Sequence, residues 1–175
     1  MRLIQERACY LGIALFNALF VFPPMRKYYR NLDRNEVTAT HYTFLDISID
    51  AEDAGRIDFE LFGNEAPKTV NNFLGYCSGK LGVFDRYDGS KIYEIVPGKY
   101  FKTGDFIEQN GLGKTSVYDQ NKTFKAEKNN LKFSEPYLLV APANSRGETC
   151  QQFMVTFEPM PELNGSDHTI IGRVI

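Results

Sequence analysis

Hydrophobic and polar residues alternate in two neighbouring segments, 43–50 and 56–62, and this pattern constrains the fold of the chain more than any other feature. In the first segment Leu45, Ile47 and Ile49 would share one face, while the intervening residues are polar. Such alternation predicts strands with one buried face. The residues between the segments favour a turn, so the two strands are predicted to form a hairpin over a turn at 51–55.

A helix is predicted directly after this hairpin. Pro67 suits the first turn of a helix, apolar residues follow at helical spacing from Val70 to Cys77, including Leu74, and Gly79 is typical of a helix end. Short apolar runs separated by Gly- and Asn-rich loops then continue to the end of the chain, at 92–96, 137–140, 153–157 and 169–174. Together these patterns predict a mostly β closed sheet with a covering helix, in one domain over 43–175.

The overall composition excludes several classes of function. Lys and Arg number 20 against 22 Asp and Glu, which argues against affinity of the whole chain for nucleic acid. The three cysteines and two histidines lie far apart, so we expect no metal site, disulfide framework or cofactor. Residues 111–115 read GLGKT, but Glu108 stands where a phosphate-binding loop needs its first glycine, so we expect no nucleotide.

An uncharged run at residues 8–22 precedes the domain, and Pro23-Pro24 would end a helix there. We predict a hydrophobic membrane-type helix over 1–24, although 15 helical residues rise only roughly 22 Å against a hydrocarbon core of about 30 Å. Residues 1–40 carry six basic against three acidic residues, which suits a segment at a membrane surface. The alternatives are a helix packed on a soluble partner or an uncleaved signal sequence. Residues 25–42 are polar and are predicted to be a linker.

Many short blocks of the chain together resemble one family, the cyclophilins. Residues 45–73 read LDISIDAEDAGRIDFELFGNEAPKTVNNF, which is similar to the opening strands and helix of a cyclophilin. Further matching blocks follow in the same order, at 95–98, 104–106, 110–113, 152–153, 163–168 and 172–174. The resemblance implies a cyclophilin-like β-barrel with a covering helix, here preceded by the hydrophobic N-terminal helix.

The resemblance also implies a groove that binds a proline-containing segment and accelerates rotation about its X-Pro bond. The uncatalysed barrier is about 18–20 kcal/mol. In the family an arginine donates to the substrate proline and stabilises the twisted transition state. Glu94 stands at that position in this chain. It has the opposite charge and no donor, so we expect no catalytic residue here and lean towards an inactive member of an enzyme family.

Most other groove positions depart from the family as well. Lys99 and Tyr100 stand in place of phenylalanine and methionine, and Lys102 in place of glutamine. The remaining altered positions are Pro142, Ala143, Met154 and Glu162, whereas the positions that match the family are Gln152, Leu163 and His168.

Each of these groove residues also has a structural interpretation. Gln152 and Leu163 suit barrel packing, and His168 suits a hydrogen bond within its loop. Glu94, Lys99 and Lys102 would pair with opposite charges across the groove or face a charged partner.

The function that we expect is therefore that of an accessory or structural subunit of a membrane-bound protein complex. Protein subunits and a membrane contacted through residues 1–22 would be its partners, and the mitochondrial inner membrane is the favoured location. The alternatives are an active peptidyl-prolyl isomerase in an organelle, with the endoplasmic reticulum and secretory pathway as the second location, and a proline-peptide binding module without turnover.

The end of the domain gives one more expectation. Cyclophilins continue after the strand at 172–174 with a second helix and a last strand that completes the barrel, whereas this chain has only Ile175 there. We therefore expect an open sheet edge along 43–50. Unpaired edges are avoided in folded proteins, so residues 25–42 or, preferably, a strand from a neighbouring subunit would cover it.

Overall fold

A computed structural model describes residues 34–79, 85–119 and 122–175, together with the backbone of residues 10–12. These residues are mostly β with one α-helix, as predicted. The strands are β1 (Tyr10–Gly12), β2 (His41–Ile49), β3 (Glu52–Leu61), β4 (Glu94–Val96), β5 (Tyr100–Thr103), β6 (Phe124–Lys125), β7 (Leu138–Ala141), β8 (Glu148–Thr149), β9 (Phe153–Thr156) and β10 (Thr169–Val174), with helix α1 (Pro67–Ser78) and a 3₁₀ turn at Pro161–Leu163.

Eight of these strands form one curled sheet in the order β1-β2-β3-β10-β7-β9-β5-β4, and β6 pairs separately with β8. In the described part of the chain this sheet is a half-barrel with β1 and β4 at its two edges. One apolar cluster lies between the sheet and α1, and a second lies around Phe62, Phe133 and Met160.

The predicted hairpin is confirmed. β2 pairs with β3 in antiparallel register from His41↔Leu61 to Ile49↔Glu52, with a bulge beside Ile47. The predicted turn at 51–55 was too long, because Asp50 and Ala51 adopt positive φ angles and form the turn. The chain therefore resumes as a strand at Glu52.

The predicted helix is confirmed as α1, from Pro67 to Ser78, and Gly79 ends it with a φ of 63°. Val70 and Cys77 are buried as expected, whereas Leu74 is only partly buried. Glu127 accepts hydrogen bonds from the first backbone amides of the helix, which otherwise lack an intrahelical partner.

The N-terminal apolar run differs from the prediction where it is described. Tyr10–Gly12 is a strand, β1, which pairs in parallel with Asp46–Ser48 of β2. The predicted helix over 1–24 is therefore wrong for these three residues, and its other residues lie outside the described part of the chain. No helix in the described ranges is long and apolar enough to cross a membrane.

The predicted open edge along 43–50 is partly covered by the chain itself. The described cover is β1, whereas residues 25–33 of the other candidate, the segment 25–42, lie outside the described part of the chain. The described end of that predicted linker is bound to the domain instead. Asn35 donates its backbone N–H to Glu135 at 3.0 Å, and its side chain bonds to the backbone of Lys132.

Candidate functional site: the groove beside the β4–β5 hairpin

The β4–β5 hairpin carries the position at which the resemblance places the family's arginine. Its antiparallel register sets Glu94 opposite Lys102 and Val96 opposite Tyr100. Side chains two residues apart on one strand share a face of the sheet. Glu94, Tyr100 and Lys102 therefore meet on one face of this hairpin.

These three side chains form a closed polar cluster. Tyr100 Oη donates to Glu94 Oε1 at 2.7 Å, and Lys102 Nζ lies 3.1 and 3.2 Å from the two carboxylate oxygens. Lys102 Nζ also lies 5.1 Å from the centroid of the Tyr100 ring. The hydrogen bond from Tyr100 lowers the pKa of Glu94, and Lys102 lowers it further, against the opposing effect of burial. Glu94 is therefore an ionised acceptor bound to two donors of its own protein.

A titration of Tyr100 tests this cluster. The Glu94 hydrogen bond, aided by burial, raises the pKa of Tyr100 to about 12. In Glu94→Gln the negative acceptor is lost, so we expect the Tyr100 pKa to fall towards about 10. Tyrosine-labelled NMR over alkaline pH measures this change, with Tyr100→Phe used to assign the signal. An unchanged Tyr100 pKa in Glu94→Gln would contradict the described cluster.

The apolar groove positions pack into the second core cluster. Met154 is only 3% exposed and lies in this cluster with Phe133 and Met160. Tyr100 and Leu163 pack against the same cluster. Met154 therefore belongs to the core of the domain, and Leu163 packs against that core, as its structural interpretation expected.

Lys99 and Glu162 form a separate surface pair. Their charged atoms lie 4.0 Å apart, and the side chains are 51% and 55% exposed. An exposed pair of this kind contributes about 0–1 kcal/mol. The three charged residues that were predicted to pair across the groove thus belong to two separate ion pairs. Glu94 pairs with Lys102, whereas Lys99 pairs with Glu162.

A cavity of about 370 Å³ has the Glu94–Lys102 pair in its wall. Five of the predicted site residues line it, namely Glu94, Lys102, Pro142, Ala143 and Gln152. The predicted residues outside its lining are Lys99, Tyr100, Met154, Glu162, Leu163 and His168. Lining residues that sequence reasoning missed are Tyr93, Asn110, Gly111, Lys114, Thr123, Asn144, Glu148 and Cys150.

Gln152 is fully occupied within the wall of this cavity. Tyr93 Oη donates to its side-chain oxygen at 2.6 Å. Its amide nitrogen donates to the carbonyls of Gly111 and Gly113 at 2.9 and 2.7 Å. Gln152, the residue before β9, therefore holds the loop at 110–113 by hydrogen bonds, whereas its structural interpretation expected a residue that packs the barrel.

The same loop depends on Asp105, a residue that sequence reasoning did not single out. Its carboxylate is fully buried and accepts backbone N–H groups from Ile107, Glu108, Asn110, Gly111 and Gly113, at 2.8–3.3 Å. Burial opposes ionisation of Asp105, but these amides outweigh it and hold its pKa below the usual value. A signal was present in the sequence, since Gly111 and Gly113 follow the aspartate within one loop.

The side chain of His168 forms a hydrogen bond, as its structural interpretation expected, but the partner lies outside its own loop. Its Nδ1 accepts the backbone N–H of Ala143 at 2.9 Å. Burial lowers the pKa of His168, and the charge of Lys102 lowers it further. A neutral imidazole that accepts this bond supports the backbone beside Pro142, which has no N–H to offer. No cluster in the described residues has the ligands for a metal ion.

Comparisons with known proteins agree with the resemblance. The family model described as cyclophilin type peptidyl-prolyl cis-trans isomerase/CLD matches residues 44–175. Peptidyl-prolyl cis-trans isomerase 9 of Caenorhabditis briggsae is 36% identical over 138 residues, which are 75% of this chain and 43% of that protein. Peptidyl-prolyl cis-trans isomerase D of Kluyveromyces lactis is 38% identical over 143 residues, 76% of this chain and 37% of that protein.

The NK-tumor recognition protein of Mus musculus is a further relative, 38% identical over 136 residues, which make up 74% of this chain and 9% of that protein. The chain thus spans less than half the length of each of these relatives. It belongs to the cyclophilin-type peptidyl-prolyl cis-trans isomerase family.

Proposed function

We propose that this cyclophilin-like domain does not catalyse proline isomerisation and serves as an accessory subunit of a membrane-bound protein complex. The observation that carries the proposal is the Glu94–Tyr100–Lys102 cluster. An isomerase needs a donor directed at the prolyl nitrogen as the amide twists. At the arginine position this chain has Glu94, an ionised acceptor, and both Lys102 and Tyr100 are bound to it.

The other groove residues support the same conclusion. Catalysis needs interactions that strengthen in the transition state, at about 1.4 kcal/mol for each tenfold in rate. Gln152 and His168 already have partners within the domain. Neither side chain supplies the positive charge of the missing arginine, since glutamine is uncharged and burial lowers the pKa of His168. Kinetics of X-Pro rotation in a short peptide test this part of the proposal.

The accessory role rests on the N-terminal segment. An uncharged run at 8–22 beside basic residues favours a membrane or a membrane complex, and the mitochondrial inner membrane is the location that we propose. A domain without turnover that is attached there would act by contact with other subunits. The endoplasmic reticulum and secretory pathway are the alternative location.

Extraction of membranes tests the attachment. We expect the full chain to stay in the pellet after treatment with alkaline carbonate, and deletion of Met1–Phe22 to release a soluble domain. As a matched control, the full chain is given an unrelated soluble tag at its N-terminus, and the same number of residues is deleted from that tag. This control chain should stay in the pellet. Recovery of the full chain in the carbonate supernatant would reject attachment through lipid.

Co-purification with the full chain in mild detergent would identify the partner subunits.

A further inference from the structure

One wall of the groove cavity is held to the rest of the domain through a single side chain. Residues 142–144, which we call the wall segment, follow β7 and line the cavity. Pro142 has no backbone N–H to donate. Ala143 donates its N–H to Nδ1 of His168 at 2.9 Å, and this is the only hydrogen bond of residues 142–143 within the described part of the chain. The bond therefore fixes the wall segment to the residue before β10.

The chain on either side of this bond is fixed by other contacts. Before the wall segment, β7 pairs with β10 as far as Ala141↔Thr169. At its other end Asn144 donates its backbone N–H to the Glu148 carbonyl at 2.8 Å, and its side-chain amide donates to the Glu148 carboxylate at 3.0 Å. Residues 142–143 can therefore move away from His168 while the sheet and the turn at 144–148 stay intact.

The bond to Ala143 requires a neutral imidazole. Nδ1 accepts a hydrogen in this bond, and protonation would turn it into a second donor that faces the Ala143 N–H. The charged groups that act on the ring are Lys102 of β5 and Asp167 of its own loop. Asp167 already pairs with Lys128 at 2.9 Å, and no described carboxylate forms an ion pair with His168. An imidazolium would thus lose its hydrogen bond and remain near the positive charge of Lys102.

The surroundings of the ring also favour its neutral form. Burial and the charge of Lys102 hold the pKa of His168 below its ordinary value of about 6.5, against the opposing charge of Asp167. Because the pKa is lower in the folded state than in the unfolded chain, the stabilisation by the neutral ring is fully present above the unfolded value. It is lost as the pH falls through the folded pKa. The wall segment is therefore held at neutral pH and loses its support in acid.

We propose that His168 is a pH-sensitive latch, whose neutral imidazole holds the wall segment against the start of β10 and whose protonation releases this wall of the cavity. The shape of the cavity, and every contact that a partner makes with the wall segment, then change with pH. This inference goes beyond the proposed function, since it requires neither the loss of isomerase activity nor attachment to a membrane.

NMR of the full chain in mild detergent tests the latch. The imidazole signal of His168 and the backbone amide signal of Ala143 should titrate together, with one midpoint below about pH 6.5. Protection of the Ala143 amide against hydrogen exchange should fall about tenfold or more across this midpoint. Protection of Val155 should stay unchanged, because it lies in β9, a central strand between β7 and β5.

Four variants separate the possible causes. His168→Asn keeps a side-chain acceptor that does not titrate, so Ala143 should stay protected on both sides of the midpoint. His168→Ala has no acceptor, so Ala143 should be weakly protected at every pH. His41→Gln is the matched control, since it removes the other histidine of the chain and should leave the transition in place. Lys102→Gln removes the positive charge that acts on the ring and should move the midpoint to higher pH.

Several results would overturn the inference. One is a titration of His168 that leaves the Ala143 amide unchanged. Another is a loss of Ala143 protection in acid that persists in His168→Asn, because a different group would then release the wall segment. Full protection of Ala143 in His168→Ala rejects the imidazole as its support. An equal loss of protection at Val155 would show that acid unfolds the whole domain and does not release one wall.

Discussion

Replacement of Asp105 by alanine is expected to destabilise the domain by about 3–5 kcal/mol, since five backbone N–H groups of one loop lose their buried acceptor. The loop at 110–113 would lose its fixed shape, and with it one wall of the groove cavity. Asp105→Asn should cost less, because it keeps one acceptor oxygen. Denaturant unfolding of the full chain measures both changes. Asp119→Ala, which removes an exposed partner of Lys122, is the control and should cost at most about 1 kcal/mol.

The acid stability of the domain should follow from the same carboxylate. The pKa of Asp105 is lower in the folded state than in the unfolded chain, so its stabilisation is fully present above the unfolded value of about 3.9. It is lost as the pH falls through the folded pKa. Asp105→Asn should therefore flatten the acid limb of the stability profile. An acid limb as steep as that of the unmodified domain would show that Asp105 does not titrate in this way.

Replacement of Glu135 by alanine is expected to be the second strongly destabilising change, at about 3 kcal/mol. Glu135 is 1% exposed, and its carboxylate lies 3.4 Å from the charged nitrogens of both Arg34 and Arg173. It also accepts the backbone and side-chain N–H groups of Asn35, each at 3.0 Å. Among the described residues its loss leaves Arg173 with only Glu60 as a carboxylate partner. It also loosens the segment before β2, which stays bonded to Lys132 through the Asn35 side chain.

Thermal unfolding and hydrogen exchange at 34–40 measure the effect of Glu135→Ala. Glu162→Ala is the matched control, because it removes an exposed carboxylate 4.0 Å from Lys99 and should change stability by less than about 1 kcal/mol. Equal losses in the two variants would show that the Glu135 network does not hold the N-terminal segment on the domain.

The elements that the sequence predicts well are those whose signals are local. The β2–β3 hairpin follows from alternation and α1 follows from helical spacing, because each pattern reflects burial of one face. An ion pair between Glu94 and a nearby lysine could also be expected, since opposite charges lie on either side of a Pro-Gly turn. The exact division into this pair and the Lys99–Glu162 pair depends on side-chain geometry that spacing does not determine.

Contacts between distant residues explain what the sequence did not predict. β1 is a parallel strand separated by more than 30 residues from its partner, so no local turn or periodicity indicates it, and its apolar residues resemble a helix equally well. Asp105 was missed for a related reason. It accepts hydrogen bonds from backbone N–H groups, and a sequence motif of side chains does not indicate such bonds. The positions of Met154 and Leu163 depend on packing in the second core cluster, which involves residues from several separate elements.

The most direct test of the central claim is the rate of cis–trans rotation about an X-Pro bond in a short peptide, measured with the full chain in mild detergent. NMR exchange spectroscopy and a protease-coupled assay should both give the rate of the detergent blank at micromolar protein. Glu94→Arg should not restore turnover alone, because Lys99, Tyr100 and Lys102 still differ from the residues that the family has at these groove positions. An acceleration of about a hundredfold or more by the unmodified chain, equal to nearly 3 kcal/mol of transition-state stabilisation, would contradict the claim that Glu94 and its partners leave this domain without isomerase activity.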